Sequence, residues 1–522
     1  MTRRHIVALL VFVILLTGIG LSLLWRKPGT APVSPGQALY QKNCVVCHGT
    51  EGRGDGQAAY LLNPKPRNFR AGKFRLVTSQ NLQPVRNDIM RTLSNGMPGT
   101  GMPGWGQLPE SDRGLLADYV LKLDYDGYVE QYLKAGKTKR EAEEYAKEMS
   151  TPDQPIPIPP EPPLTPAGLE QGRQFFMTNC SKCHGQNGEG RNDPTWRTSE
   201  GFPTSSRNLK EGVFKGGRDA QALYLRFGTG LPGTPMPNLN VPSDTVWRIV
   251  QYVQSLSDPR IQERATIRSK ELIAQKVARL PSSPDDQLWK SAPEVSVPLM
   301  PLWWVNGYIS EVMVKTVHDG RRIAFLLRWK DATQDVEGVR QRGFSDASAI
   351  QFSASSDPPL FAMGSAGKEV SFWHWKAMWD LDRTGVHELA QAYPNLTADA
   401  YYGAQKGWKS GPLDDTTFLP ARYLNNPVAI SRQTSIEVAK AAGMGTYTAP
   451  TPTVQNVQGA STWKDGIWQV SLIRDLAPTN GDTLSFLPGE KVSVAFAIWN
   501  GSAAERNGQK TVSIWNTLVL AK

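Results

Sequence analysis

The sequence predicts a multidomain chain with an N-terminal transmembrane helix, two small all-α domains of one type and a C-terminal β-sandwich. Three observations carry this. Ile6 to Trp25 is an unbroken apolar stretch between basic residues. A Cys-x-x-Cys-His pentapeptide occurs twice, as Cys44-Val45-Val46-Cys47-His48 and Cys180-Ser181-Lys182-Cys183-His184, inside two stretches that repeat one another. Beyond residue 285 the texture changes to short alternating runs of aromatic and β-branched residues, the pattern of strands. A length of 522 residues accommodates about three domains.

At the N-terminus, Arg3, Arg4 and His5 precede the apolar stretch and Arg26-Lys27 follow it. Its length suits a bilayer-spanning helix, and no small-x-small cleavage site stands at its end. Residues 1–27 therefore read as an uncleaved anchor, with a cleaved signal as the alternative. Basic residues on both sides leave orientation open. The net charge of +10 favours acidic partners or an anionic surface, or is simply a solvated face. No nucleic-acid motif accompanies it.

The two pentapeptides use all four cysteines and leave none for a structural disulfide. Residues three apart on a helical turn share a face, so two thiols can bond to neighbouring vinyl groups of one haem while the adjoining histidine reaches iron. Zinc usually wants four protein ligands where each cluster offers three, and a thioredoxin-like pair would not carry histidine both times. Covalent haem c held by Cys44, Cys47, Cys180 and Cys183, with His48 and His184 as proximal ligands, is the reading that fits. Haem c is attached outside the cytoplasmic membrane in bacteria, which places the body of an anchored chain on the periplasmic side.

Residues 34–124 read as a first cytochrome c domain. Gly36 to Tyr40 begins a short helix into the pentapeptide, residues 49–56 form a glycine-rich loop, and Leu115, Leu116, Tyr119, Val120 and Leu123 have helical spacing. Met97 and Met102 are both candidate distal ligands. Residues 125–166 form a linker: a charged helical part, either exposed or a strut, then a proline-rich stretch expected to hold two domains apart. Residues 167–258 repeat the first domain. Arg67-Asn68-Phe69 with Gly72 and Phe74 recurs as Arg207-Asn208-Leu209 with Gly212 and Phe214. Met97 aligns with Leu231, which cannot bind iron, and Met102 with Met236, so Met102 and Met236 are the expected sixth ligands. The repeated stretch resembles tandem class I cytochromes c of respiratory chains.

After a charged, helix-like segment over 259–280, strands are expected at 309–317, 322–329, 349–352, 468–473, 492–499 and 511–518, with turns at Asp319-Gly320 and Asn500-Gly501. Residues 344–352, 358–364, 373–377, 496–501 and 508–515 resemble motifs of the haem b (gamma) subunit of ethylbenzene dehydrogenase. Related subunits accompany dimethylsulfide dehydrogenase, selenate and chlorate reductases and some nitrite oxidoreductases. The resemblance covers nearly all of residues 285–522. It implies one non-covalent haem b in the β-sandwich domain, held by Met363 and Lys510 with Lys376 as the second claimant. It also implies molybdenum-containing catalytic and iron-sulfur subunits as partners. His374, between two tryptophans, is the ligand the residues alone would offer, but a packed histidine is preferred there; His318 and His387 are less compelling.

The expectation is thus a membrane-anchored periplasmic electron-transfer protein with two haem c groups and one haem b, touching the membrane through its N-terminal helix and linking a molybdenum-dependent oxidoreductase to a respiratory electron carrier. Competing classes are a haem enzyme such as a dihaem peroxidase, which needs an open iron position that Met102 and Met236 would close, and an assembly module without haem b.

Overall fold

The computed structural model describes residues 33–338, 340–361, 363–384, 395, 432–449, 455–477 and 484–522. In the first helical unit, Ser34 caps the helix Pro35–Asn43 by accepting from Gln37 N at 3.3 Å, with proline in the first turn, a sequence-local start signal. That helix runs into the single turn Val45–His48, which carries the pentapeptide. Helices Arg86–Asn95 and Glu110–Lys134 close over it on a core including Tyr40, Leu93, Leu116, Val120 and Leu123. The second unit repeats the plan with Pro166–Phe175, Ser181–His184, Ala220–Thr229 and Ser243–Ser255 around Phe176, Leu223, Trp247 and Ile249.

The linker joins the units instead of separating them. Lys139–Ser150 folds back on Glu110–Lys134, with the Tyr132 and Tyr145 rings stacked at 4.1 Å; it is a strut. The proline-rich stretch is extended but docked. Ile156 N donates to Thr78 O at 2.8 Å and Gln80 N to Gln154 O at 3.0 Å on the first unit. Further along, Ile158 packs on the core of the second, and Gln251 Nε2 donates to Pro162 O at 2.9 Å. Prolines without N–H groups leave carbonyls as acceptors, which both units use. Arg226 completes the clasp, donating to Arg75 O at 2.6 Å and Val77 O at 2.9 Å.

The expected helix-like segment over 259–280 is corrected: only Pro259–Ala265 is helical, and β1 (Glu271–Lys276) follows. Its residues Glu-Leu-Ile-Ala-Gln-Lys are mostly good helix formers, yet Leu272 and Ala274 alternate into the core. Then come β2 (Val295–Pro298), β3 (Met300–Pro301), β4 (Glu311–His318), β5 (Arg322–Lys330), β6 (Ala347–Ser353) and β7 (Val370–Lys376). The rest are β8 (Ile436–Ala441), β9 (Gln458–Lys464), β10 (Ile467–Asp475), β11 (Lys491–Trp499), β12 (Thr511–Val512) and β13 (Asn516–Leu520). The expected single run 511–518 is broken because Ser513, Ile514 and Trp515 leave the ladder.

The β-sandwich expectation is also corrected. The main path runs β8-β7-β6-β11-β13-β1-β4-β5-β10-β9 as one sheet. β1 makes it continuous, pairing through residues 271–274 with β13 and through 275–276 with β4, in parallel both times. The two end strands then approach each other: Thr434 Oγ1 donates to Val457 O at 2.8 Å, and a Cβ on Gly459 would stand 2.5 Å from Ile436 Cγ1. The result is a nearly closed barrel filled by Phe325, Trp329, Phe352, Trp373, Trp375, Trp468 and their neighbours.

The anchored reading is corrected as well. No helix among the described residues is long and apolar enough to cross a membrane, and the apolar stretch at 6–25 lies outside the described residues. The described residues therefore give no support to a transmembrane helix, to membrane contact through it or to placement on the periplasmic side by a single anchor.

Candidate haem sites

His48 is buried, its ring stacked on Phe69 at 4.5 Å, and its Nδ1 lies 3.0 Å from Arg67 O. A carbonyl only accepts, so Nδ1 carries the proton and the Nε2 lone pair is free. Burial lowers its pKa to about 4, which keeps the imidazole neutral. A metal-ligating histidine donates its other ring N–H to a carbonyl in this way, which fixes the ring and its tautomer. The loop holding Met97 and Met102 begins at Gly96, whose φ of +66° suits glycine. There Met97 N donates to Met102 O at 2.9 Å, Thr100 Oγ1 to Met97 O at 2.7 Å, and Met102 N to Thr100 Oγ1 at 3.2 Å. A cavity of about 470 Å³ is lined by Cys44, Cys47, His48, Met97 and Met102 together.

The second unit reproduces these contacts. His184 Nδ1 lies 3.4 Å from Arg207 O, and burial lowers its pKa too. Leu231 N donates to Met236 O at 3.2 Å, Thr234 Oγ1 to Leu231 O at 2.7 Å, and Met236 N to Thr234 Oγ1 at 3.3 Å, after Gly230 at φ +62°. Leu231 thus occupies the place of Met97. Cys180 is half-buried and Cys183 exposed, so the second pentapeptide is more open to solvent than the first, where both cysteines are half-buried.

On the barrel, Trp373 and Trp375 of β7 point into the core, leaving Phe372, His374 and Lys376 on the outer face. Val494, Phe496 and Ile498 of β11 do likewise, leaving Ala495, Ala497 and Trp499 outside. Ala349 stands opposite both His374 and Ala497, and Ala347 opposite both Lys376 and Trp499. The outer face therefore has a floor of small residues packed against Trp499, with Ala347 3% and Ala349 6% exposed. Lys510 Nζ sits 4.5 Å over the Trp499 ring, and desolvation lowers its pKa to about 8. Lys376 Nζ stands 4.5 Å over Trp379, its pKa also lowered by burial. Met363 packs with Val370, Phe372, Ala441 and Trp515. His374 stacks on Trp499 at 5.0 Å with Nδ1 3.4 Å from Tyr447 Oη, and burial with the charges of Lys376 and Lys510 pushes its pKa well down. Its Nε2 and the Nε2 of Gln351 on the same face have no hydrogen-bond partner, which fits a bound group covering them. His318 is a structural residue, 1% exposed at the end of β4 with Nε2 2.9 Å from Ala521 O. His387 lies outside the described residues.

Sequence reasoning missed that these sites adjoin. The first cavity is also walled by Glu200, Arg207 and Lys215 of the second unit and by Trp304, Leu360 and Phe361 of the barrel. Arg67 and Arg75 both pair with Glu200. Burial and the charges of Arg207, Arg75 and Arg67 hold the Lys215 pKa far below that of an ordinary lysine. Three guanidinium groups, of which two pair with the one carboxylate, leave positive charge that the acidic edge of a haem would balance. The recurrence of Arg67 and Arg207 was visible in the repeat; the matching of Arg75 with Lys215, one residue after Phe74 and Phe214, was the unused signal.

Comparison with known proteins agrees with this division. Residues 33–124 and 169–257 match the cytochrome c family, and residues 286–511 match the ethylbenzene dehydrogenase family. The chain thus carries two cytochrome c domains and one domain of the ethylbenzene dehydrogenase gamma-subunit type, a composition with haem c and haem b sites. The chain matches relatives named as heme or gamma subunits. It is 28% identical over 254 residues to dimethylsulfide dehydrogenase subunit gamma of Rhodovulum sulfidophilum, covering 45% of this chain and 74% of that one. To a protein of Haloferax mediterranei named for a respiratory nitrate reductase heme subunit it is 27% identical over 244 residues, 45% of this chain and 67% of the other. Chlorate reductase subunit gamma of Ideonella dechloratans is 23% identical over 242 residues, 45% and 77% of the two chains.

Proposed function

We propose that this chain is the electron-transfer, gamma-type subunit of a molybdenum-dependent respiratory oxidoreductase, working beside iron-sulfur and molybdenum-containing catalytic subunits and exchanging electrons with a respiratory carrier. Cys44, Cys47, His48 and Met102 would hold one covalent haem c, and Cys180, Cys183, His184 and Met236 the other. Met363 and Lys510 would hold one non-covalent haem b on the outer barrel face. Bound haem supplies a one-electron iron couple. The chain's own residues keep both histidines neutral, present a thioether in each glycine-started loop, and desolvate Lys510 so that its amine loses its proton more readily than an ordinary lysine.

The observation that carries the reading is the seam between the first cytochrome domain and the barrel. Asn63 N donates to Leu302 O at 2.9 Å, and Leu302 N donates in turn to Lys510 O at 2.9 Å. Phe361, two residues before Met363, packs against both the first cytochrome core and the Ala497 side of the barrel. Phe361 thus adjoins both the first cytochrome cavity and the barrel segment that would hold haem b, which supports relay between them. A thioether on each haem c iron would leave no open position for peroxidase chemistry.

The test is pyridine haemochrome analysis of the purified chain with identification of co-purifying subunits. A c-to-b ratio of two to one is expected. Lys510→Leu and Met363→Ala, which put non-ligating side chains at both positions, should each lose haem b and retain both covalent haems. Absence of haem b, or a high-spin ferric haem reactive with peroxide, would overturn the proposal.

A further inference from the structure

Away from the haem sites, acidic side chains converge at one end of the barrel. Asp331 directly follows β5, Asp335 lies in the next loop, and Asp346 directly precedes β6. One carboxylate oxygen from each lies within 4.8 Å of the others. Asp331 and Asp346 are 4% and 0% exposed, and Asp335 is half-buried. Glu505, 5% exposed in the loop between β11 and β12, is a fourth carboxyl near enough to feel the charge of Asp331. Among the described residues none of the four takes part in an ion pair.

N–H and O–H donors meet part of this demand. Asp346 Oδ1 accepts from Gly501 N at 2.8 Å, and its Oδ2 from Asp335 N at 2.7 Å and Trp468 Nε1 at 2.9 Å. Glu505 Oε2 accepts from Asn500 N at 2.8 Å, and Asp335 Oδ2 from Thr333 Oγ1 at 2.6 Å. Asp331 Oδ1 accepts from Thr333 N at 3.2 Å and Thr333 Oγ1 at 3.5 Å. The remaining oxygen, Asp331 Oδ2, is sealed from solvent with no donor in good hydrogen-bond geometry, although the Trp329 N–H lies near the Asp331 carboxyl. A buried carboxylate oxygen left unmatched beside other carboxylates is unfavourable unless a positive charge joins it.

We propose that Asp331, Asp335 and Asp346, with Glu505 beside them, form a binding site for a hard divalent cation of the calcium class. All donors are oxygens and no thiolate or imidazole belongs to the cluster, which disfavours zinc and copper. The sealed position of Asp331 favours an ion that sheds water readily, as calcium does and magnesium does not. The site fastens the end of β5 to the start of β6 and to the loop after β11. That loop leads within five residues to Lys510, so the cation stiffens the segment that presents it. The proposal does not depend on the haem assignments.

The experiment uses the full wild-type chain, exchanged into chelator-treated buffer. Its calcium content is measured by inductively coupled plasma mass spectrometry, and it is melted in EGTA, in CaCl2 and in MgCl2. About one calcium per chain is expected. The barrel transition should lie about 5 °C higher in excess calcium than in EGTA, with a smaller effect of magnesium. Asp335→Asn, the substitution at the least buried of the three aspartates, should weaken calcium binding about tenfold or more while the circular dichroism of the folded chain is kept. Identical melting in EGTA and CaCl2, with calcium far below stoichiometry, would overturn the proposal. So would melting that follows pH but not calcium, because a shared proton would then be what holds the carboxyls together.

Discussion

In both cytochrome domains the first helix crosses the last at a glycine, and replacing that glycine separates two opposing effects. Gly172 lies within Pro166–Phe175, and a Cβ there would stand 2.1 Å from the Arg248 carbonyl oxygen, 2.7 Å from its carbon and 3.0 Å from Tyr252 Cβ. Helix propensity alone says that Gly172→Ala stabilises by about 1 kcal/mol. The obstacle, however, is helical backbone, which cannot rotate aside, so the helices must part at an overpacking cost of about 1–3 kcal/mol. The close approach puts the cost near the upper end, for a net loss of about 1–2 kcal/mol. In a domain of this size that lowers the melting temperature of the second domain by about 5–15 °C. Gly114→Ala is the control: its Cβ would meet first Arg86 Nη2, at 2.4 Å, the far end of a side chain that is half exposed in its pair with Asp118. That substitution should be neutral or stabilising by up to about 1 kcal/mol. Calorimetry of the full chain, with the two domain transitions assigned, reads both. A Gly172→Ala chain melting at or above wild type would refute the contact argument.

Two further outcomes are expected. Met97→Leu should leave the midpoint potential of the first haem unchanged, since Leu231 already occupies the equivalent place, whereas Met102→Ala should lower it by removing a thioether ligand. Redox titration distinguishes them, and equal losses would reverse the assignment. Asp124 is 1% exposed with neither carboxylate oxygen partnered, and burial raises its pKa from 3.8 to about 7. The fold favours its neutral form, so this contribution to stability is fully present below about pH 4 and is lost as pH rises to about 7, by at most about 4 kcal/mol. Urea unfolding at pH 5 and pH 8 should show the loss, and Asp124→Asn should remove it; a wild-type profile without that decline would count against it.

Much of the cytochrome half is written locally. Caps at Ser34 and Thr165, the pentapeptides and the Gly-x-Pro-Gly-Thr-x-Met-Pro loops each act within a few residues, and comparing the two copies was enough to prefer Met102 to Met97. The barrel was legible in its central strands but not in its closure. β1 has the composition of a helix and becomes a strand because β13, some 240 residues later in the chain, and β4 offer it partners on both edges. Nor could the proline-rich stretch announce that its carbonyls would serve both neighbouring domains and Ile158 the core of the second.

By itself, then, the sequence determined what depends on short spacing: two Cys-x-x-Cys-His turns, two thioether loops, and a β domain carrying Met363, Lys376 and Lys510. Tertiary structure decided what depends on residues distant in the chain. It rolled the expected sandwich into a barrel, set Phe361 between the first cytochrome core and the Ala497 side of the barrel, paired Arg67 and Arg75 with Glu200, and brought both together with Arg207 near Lys215. It also brought Asp331, Asp335, Asp346 and Glu505 to one end of the barrel. The physical reason is that a cap or a ligand motif is satisfied within one turn of chain, whereas buried charge and cross-strand pairing acquire their partners only when the whole chain has folded.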